Sequence, residues 1–181
     1  MTRRGFTKPK TSMSPAALSG LAAKRNGQSA EEAIDNTAIK LLQENKAEIN
    51  KRYEPYKRVS SGAGSVFRGV YLGVSGCDYE IWLPDGRAGM LEIKSREGAR
   101  IEISAVDDRQ SSQLQRRMEW GQLAFVVVRL SGDWFLVPWS KWQRTDRKSH
   151  NLKQLQEIGT SLTLVDGCLS NLLEAICSVT A

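Results

Sequence analysis

Between Gly76 and Lys94 the chain alternates hydrophobic and polar positions in two runs, separated by Pro84-Asp85-Gly86. Tyr79, Ile81 and Leu83 recur at every second position, and Leu91 and Ile93 repeat the spacing beyond the turn. That is the period of a strand with one buried face. Proline and aspartate in right-handed positions, then glycine in the left-handed one, suit a three-residue hairpin loop. Such a loop pairs Leu83 with Arg87, and counting back sets Asp78 opposite Glu92. Opposed residues share a face. Asp78, Glu92 and Lys94 are therefore expected on one side of the hairpin, and Cys77, Tyr79, Ile81, Leu83, Leu91 and Ile93 on the other, facing a core. A two-residue loop would break this register.

Helical periodicity flanks the hairpin. Ser29 and Glu32 have the spacing of a capping box and predict a helix from Ser29 to about Lys46, with Ile34, Ala38, Leu41 and Leu42 as its apolar stripe. Glu31 heads that stripe. A carboxylate there is either a solvated first-turn acid favoured by the helix dipole or an accessory to a site. Beyond the hairpin, Ser104 and Asp107 mark the start of a helix reaching about Trp120. Val106, Gln110, Leu114 and Met118 lie along one face of it. A glutamine in an apolar stripe must find hydrogen-bond partners. Gly121 ends this helix, and Ala124–Leu130 reads as a strand buried on both faces. Ser131-Gly132-Asp133 turns the chain into a strand over Trp134–Val137. Trp139 and Trp142, with Lys141 and Arg144 nearby, fit core packing better than base stacking. Leu152–Gln156, Ser161–Val165 and Leu169–Cys177 read as helix, strand and helix closing the sheet.

Two segments lack this regularity. Residues 1–24 carry Arg3, Arg4, Lys8 and Lys10 with prolines and no acid, and are expected to form a disordered basic arm, with a short helical turn available over Ala16–Ala23. Such an arm serves either to hold phosphates or to keep the chain soluble. From Lys51 to Ser75, basic and aromatic residues interleave, and Gly62, Gly64 and Gly69 suit bends between short extended pieces. The segment is either a DNA-contact element or a strand pair covering the core. Lys57, Arg58 and Arg68 are the candidates for phosphate contact, with aromatic side chains available to stack on bases.

Composition narrows the class. At 181 residues and 40% hydrophobic, the chain suits one domain with its own core, here residues 25–181. A net charge of +6 fits a polyanionic partner. Three cysteines without paired spacing indicate neither a disulfide framework nor a zinc site, which points to a reducing cytoplasm. A single histidine, His150, rules out multi-histidine metal centres and disfavours a serine–histidine triad. Neither a signal peptide nor a bilayer-spanning apolar run is visible, so no membrane role is expected.

Two carboxylates and a lysine on one sheet face outline a hydrolytic metal site. Hard divalent cations take carboxylate and water oxygens, and a neighbouring lysine can activate water or balance phosphate charge. A salt-bridged face on a half-solvated sheet would read the same way, because the motif is short and degenerate.

The spacing of Asp78, Glu92 and Lys94 on a hairpin resembles the Asp…Glu-x-Lys core of the PD-(D/E)XK nucleases. The order of the surrounding elements resembles one branch of them, the RecU-type Holliday-junction resolvases: a helix with an early glutamate, a basic segment, the hairpin, a glutamine-bearing helix and a hydrophobic strand. The resemblance runs from about Arg25 to the C-terminus. It implies an α/β, restriction-endonuclease-like fold with a central mixed sheet flanked by helices, and a projecting basic stalk-like segment over residues 51–75. It implies a homodimer that cuts four-way DNA junctions with Mg2+ or Mn2+, in a bacterial cytoplasm, with host or phage as the source left open. Asp78, Glu92 and Glu31 would hold metal, Lys94 would activate water, and Gln110 would position it. Glu32 is the alternative to Glu31, and Gln113 the runner-up to Gln110. Arg25, Lys57, Arg58, Arg68, Arg116 and Arg117 would contact DNA.

Two departures stand out. Arg25-Asn26-Gly27 replaces an uninterrupted Arg-Gly pair, and Gly76-Cys77 replaces the hydroxyl residues usual before the aspartate, with Ser75 nearby. The rival within the class is a nuclease for flaps, ends or duplex DNA; the rival outside it is a non-catalytic DNA-binding module.

Overall fold

The computed structural model describes residues 15–53, 56–61, 67–71, 76–144 and 146–179, and for residues 15–28, 56–61 and 67–71 the backbone alone. Helix α1 (Pro15–Gln43) is continuous over 29 residues. It begins well before Ser29, so Ser29 and Glu32 lie within a helix and cap nothing. The reason is local. Pro15 has the backbone angle a first helical position needs, and the alanine- and leucine-rich stretch after it favours helix strongly enough to carry Gly20 and Gly27. Residues 15–24, expected in the arm, thus belong to α1, and 1–14 lie outside the described residues.

After α1 come β1 (Glu48–Lys51), β2 (Tyr56–Ser61), β3 (Phe67–Tyr71), β4 (Tyr79–Trp82), β5 (Ala88–Arg96) and β6 (Arg100–Glu102). A 3-10 turn (Ile103–Ala105) leads into α2 (Asp108–Glu119), β7 (Leu123–Leu130) and β8 (Asp133–Pro138). The remainder is α3 (Trp139–Trp142), β9 (Ser149–Asn151), α4 (Leu152–Ile158), β10 (Thr160–Leu162), β11 (Leu164–Val165), β12 (Cys168–Leu169) and α5 (Leu172–Val179). Six strands form the central sheet in the order β1-β4-β5-β7-β8-β10. Only β5 and β7 run parallel, the other neighbours being antiparallel. The architecture is a mixed sheet with helices on both faces.

The β4–β5 hairpin has the register read from its turn. Tyr79 pairs with Leu91 and Trp82 with Ala88. The Leu83 N–H donates to the Arg87 carbonyl at 2.8 Å, and Gly86 takes the left-handed conformation at φ 88°. Both sheet faces are covered. On one, Tyr79, Ile81, Leu91 and Ile93 pack with Phe125 and Val127 against Ile34, Ala38 and Leu41 of α1 and Leu172 and Ile176 of α5. On the other, Met90, Val126 and Val128 pack with Leu114 of α2, Trp139 and Trp142 of α3, and Leu155 of α4. The tryptophans are core residues.

The covered second face changes two expectations. Glu92 shares it with Met90 and is fully buried, where an open polar face was expected. Cys77 belongs to this second core and not to that of Tyr79. The alternation fails there because the chain bends at Cys77 and Asp78, after a Gly76 with φ 81°, and joins the sheet only at Tyr79.

β2 and β3 form a two-stranded sheet separate from the central one. Lys57 pairs with Val70, Arg58 with Gly69 and Arg68 with Ser60, across a register shift between Arg58 and Ser60. Among the described residues, no helix is long and apolar enough to cross a membrane.

Candidate active site at the head of the central hairpin

β5 carries Glu92 and Lys94 two residues apart on the face that α2 covers, and the bend before β4 brings Asp78 alongside. The Lys94 ammonium donates to Glu92 Oε1 at 2.6 Å. Asp78 Oδ2 accepts the backbone N–H of Ile93 at 2.8 Å, and the Asp78 carbonyl accepts the N–H of Arg52 at 2.8 Å. The aspartate is thereby tied to the strands on either side of β4.

α2 supplies the roof. Asp107 caps it by accepting the N–H groups of Arg109 and Gln110, each at 2.9 Å, and Gln110 Oε1 in turn accepts the Asp107 N–H at 3.2 Å. Helix α2 therefore starts at Asp108, and Val106 stands just ahead of it, buried against the same core as Leu114. The polar member of that stripe finds partners in the site. Gln110 Nε2 donates to Glu92 Oε1 at 2.7 Å and to the Gly76 carbonyl at 3.5 Å, while its Oε1 accepts from Lys94 at 3.0 Å. Gln113, one turn on, reaches the backbone instead: its Oε1 accepts the Cys77 N–H at 2.8 Å.

Glu31 is engaged from the α1 side. Its carboxylate meets the Lys51 ammonium at 2.9 Å, and Asp35 meets the same ammonium at 3.1 Å. The Tyr79 hydroxyl donates to Asp35 Oδ1 at 2.5 Å and to the Glu31 carbonyl at 3.3 Å. Burial works against the charged form of Lys51, yet its bonds to Glu31 and Asp35 hold its pKa above the ordinary lysine value. Glu32 is exposed.

Electrostatics distinguish the central pair. Burial, then the neighbouring charge of Asp78, pushes the Glu92 carboxyl up to about 8, against the pull of Lys94. Asp78 is also raised by burial, against the Ile93 bond and Lys94, with the Glu31 charge adding to the rise. Glu31 is thus close enough for its charge to be felt at Asp78. Glu92 Oε2 is buried and receives no N–H or O–H donor, so the neighbouring Asp78 carboxylate can satisfy it only through a shared proton or a cation between them. Two crowded carboxylates, one with an orphaned oxygen, present a donor set that a hard divalent cation would satisfy. Among the described residues no group of three or more histidine, cysteine or acidic side chains is placed to hold a metal ion. Mg2+ does not require such a group, since it is commonly held by one or two carboxylates with water and substrate phosphate.

The other candidates are dispersed. Arg116 is exposed on α2. Arg117 donates to Gln122 at 2.9 Å and lies 5.7 Å from the Trp120 ring centre. Arg25, Lys57, Arg58 and Arg68 are described by their backbone alone. Sequence reasoning passed over Asp35 and grouped Lys51 with the basic segment. One signal was available for Asp35, which stands one helical turn after Glu31.

Comparison with known proteins adds three findings. The family profile described as Recombination protein U matches residues 25–178. Among solved structures, the chain is similar to Hjc, a Holliday junction resolvase from Archaeoglobus fulgidus, an archaeal hyperthermophile; the two are 14% identical, with a TM-score of 0.45 over 71% of this chain and 93% of that one. None of the curated proteins matches.

Proposed function

This chain belongs to the RecU family, that of the Holliday-junction resolvases, and from that premise we propose that Asp78, Glu92, Lys94 and Gln110 form its metal-dependent centre for cutting four-way DNA. The family makes the protein an endonuclease acting on branched DNA; the assignment to these residues rests on their geometry. The observation that carries it is Glu92: fully buried, held on one oxygen by Lys94 and Gln110, with the other oxygen unpartnered beside Asp78. A purely structural acid would be costly in that position.

Asp78 and Glu92 would hold the ion, Mg2+ or Mn2+, with Glu31 as an accessory on the α1 side. A cation bound there supplies Lewis acidity and positive charge against the phosphate. The remaining work falls to the protein. Lys94 has three donors, two of which meet Glu92 and Gln110. The third is left for a phosphate oxygen or the attacking water. Gln110 keeps Glu92 and Lys94 in fixed relation, so the ammonium need not reorganise as charge develops. Arg25, Lys57, Arg58, Arg68, Arg116 and Arg117 would hold DNA phosphates. A two-fold symmetric junction calls for two such centres at fixed separation, which a homodimer with one self-complementary interface provides.

A panel of labelled four-way junction, flap, duplex and single-stranded DNA with Mg2+ or Mn2+ tests this reading. The wild-type chain should make paired, symmetric cuts in the junction, and Glu92→Gln should make none. Equal cutting of flap and duplex would move the assignment to a general nuclease. Junction cutting by Glu92→Gln at the wild-type rate would remove these residues from the chemistry.

A further inference from the structure

Two backbone donors at the head of the hairpin are diverted from the sheet ladder. The bonded pairs of β4 and β5 step from Leu83 with Arg87 to Ile81 with Gly89 and Tyr79 with Leu91. In an antiparallel ladder the next bonded pair would be Cys77 with Ile93, each giving its N–H to the other's carbonyl. The Cys77 N–H goes instead to Gln113 Oε1, and the Ile93 N–H goes to Asp78 Oδ2. Cys77 is fully buried, so its N–H must be satisfied within the protein.

We propose that Gln113 is a positioning residue for the nuclease centre: by holding the Cys77 N–H out of the ladder, it leaves the Ile93 N–H and the space beside Glu92 to the carboxylate of Asp78. This rests on the reading of the cluster as that centre. Gly76 shows how closely the clamp fits. Its φ of 81° lies in the left-handed region, and a Cβ there would stand 1.9 Å from Gln113 Oε1. The absence of a side chain at Gly76 both permits the bend and makes room for the amide. Gln110 and Gln113 then divide one task from adjacent turns of α2. Gln110 bonds the Glu92 side chain directly, and Gln113 acts on Asp78 through the backbone. A single rigid helix sets the spacing of both carboxylates.

The test compares the wild-type chain with Gln113→Met, which keeps the size and loses the acceptor, and Gln113→Glu, which keeps the acceptor. Two readouts are needed: kcat and KM on a labelled four-way junction, and amide hydrogen exchange at Cys77 and Ile93. Gln113→Met should speed exchange at both amides and lower kcat about ten- to a hundred-fold, the range for residues that orient a metal site's ligands, with KM nearly unchanged. Gln113→Glu should recover most of both. Wild-type kcat in Gln113→Met, unchanged exchange at Cys77, or equal losses in the two variants would each overturn the proposal. A wild-type chain that cuts no DNA would sink the nuclease reading, while the exchange measurements would still decide whether Gln113 controls the bend and the Ile93 bond.

Discussion

Asp78 takes the backbone N–H of Ile93 through its own carboxylate, at 2.8 Å, where the register of the hairpin would have placed the carbonyl of Cys77. The aspartate therefore ends the β4–β5 ladder and stands beside Glu92 at once. This arrangement commits one carboxylate oxygen to architecture and, on the proposed reading, leaves the other to the metal.

Asp78→Asn retains an oxygen for the Ile93 N–H and loses the charge. Cleavage of a four-way junction should fall to background, while junction binding in a gel-shift assay stays at least as tight, because a negative charge facing phosphate has been removed. Wild-type turnover by this variant in Mg2+ would end the role of Asp78.

Gln110→Ala removes the hydrogen bonds to Glu92 and Lys94 together with its half of the capping box of α2. Turnover should fall about ten- to a thousand-fold, the scale for loss of a preorganised donor. Stability should also fall by about 1 kcal/mol through the damaged cap, measurable by thermal melting. A glutamine facing only a wet site would leave the melting temperature unchanged.

Neutralising Lys57, Arg58 or Arg68 one at a time should weaken junction binding and reduce its salt dependence by about one unit of slope for each phosphate that is no longer neutralised. Lys153, exposed on α4, serves as the control. An equal weakening at Lys153 would show a general charge effect with no specific role for the β2–β3 hairpin.

His150 is fully buried, with Nε2 2.9 Å from the Trp142 carbonyl and its ring centre 5.1 Å from that of Trp142. Burial lowers its pKa below the ordinary value of 6.5, with Arg147, Arg144 and Arg100 adding to the fall and the Trp142 bond opposing it. Below pH 6.5 the unfolded chain therefore gains a proton that the folded chain resists. The stability from a neutral His150 is complete above that pH and declines as pH falls toward the lowered value. Melting temperatures measured from pH 7.5 to 5.5 should fall more steeply for the wild type than for His150→Gln. Parallel curves would remove His150 as the cause.

The chain's local patterns determined the hairpin and its register, because side chains alternate with a period of two and Pro84-Asp85-Gly86 admits one loop length. They also marked Gln110, since an amide in an apolar stripe has to be satisfied, and the buried strand β7, whose continuous apolar run suits a strand covered on both faces. Tertiary structure decided the rest. The start of α1 at Pro15 came from helix formers outweighing a capping pattern at Ser29. The burial of Glu92 depends on α2 lying over its face, and the pairing of Glu31 and Asp35 with Lys51 depends on α1 meeting β1. At the break in alternation the Cys77 N–H is met by Gln113, 36 residues further along the chain. Periodicity reports which residues share a surface within one element; it carries no record of which distant side chain will intercept a backbone donor when two elements meet.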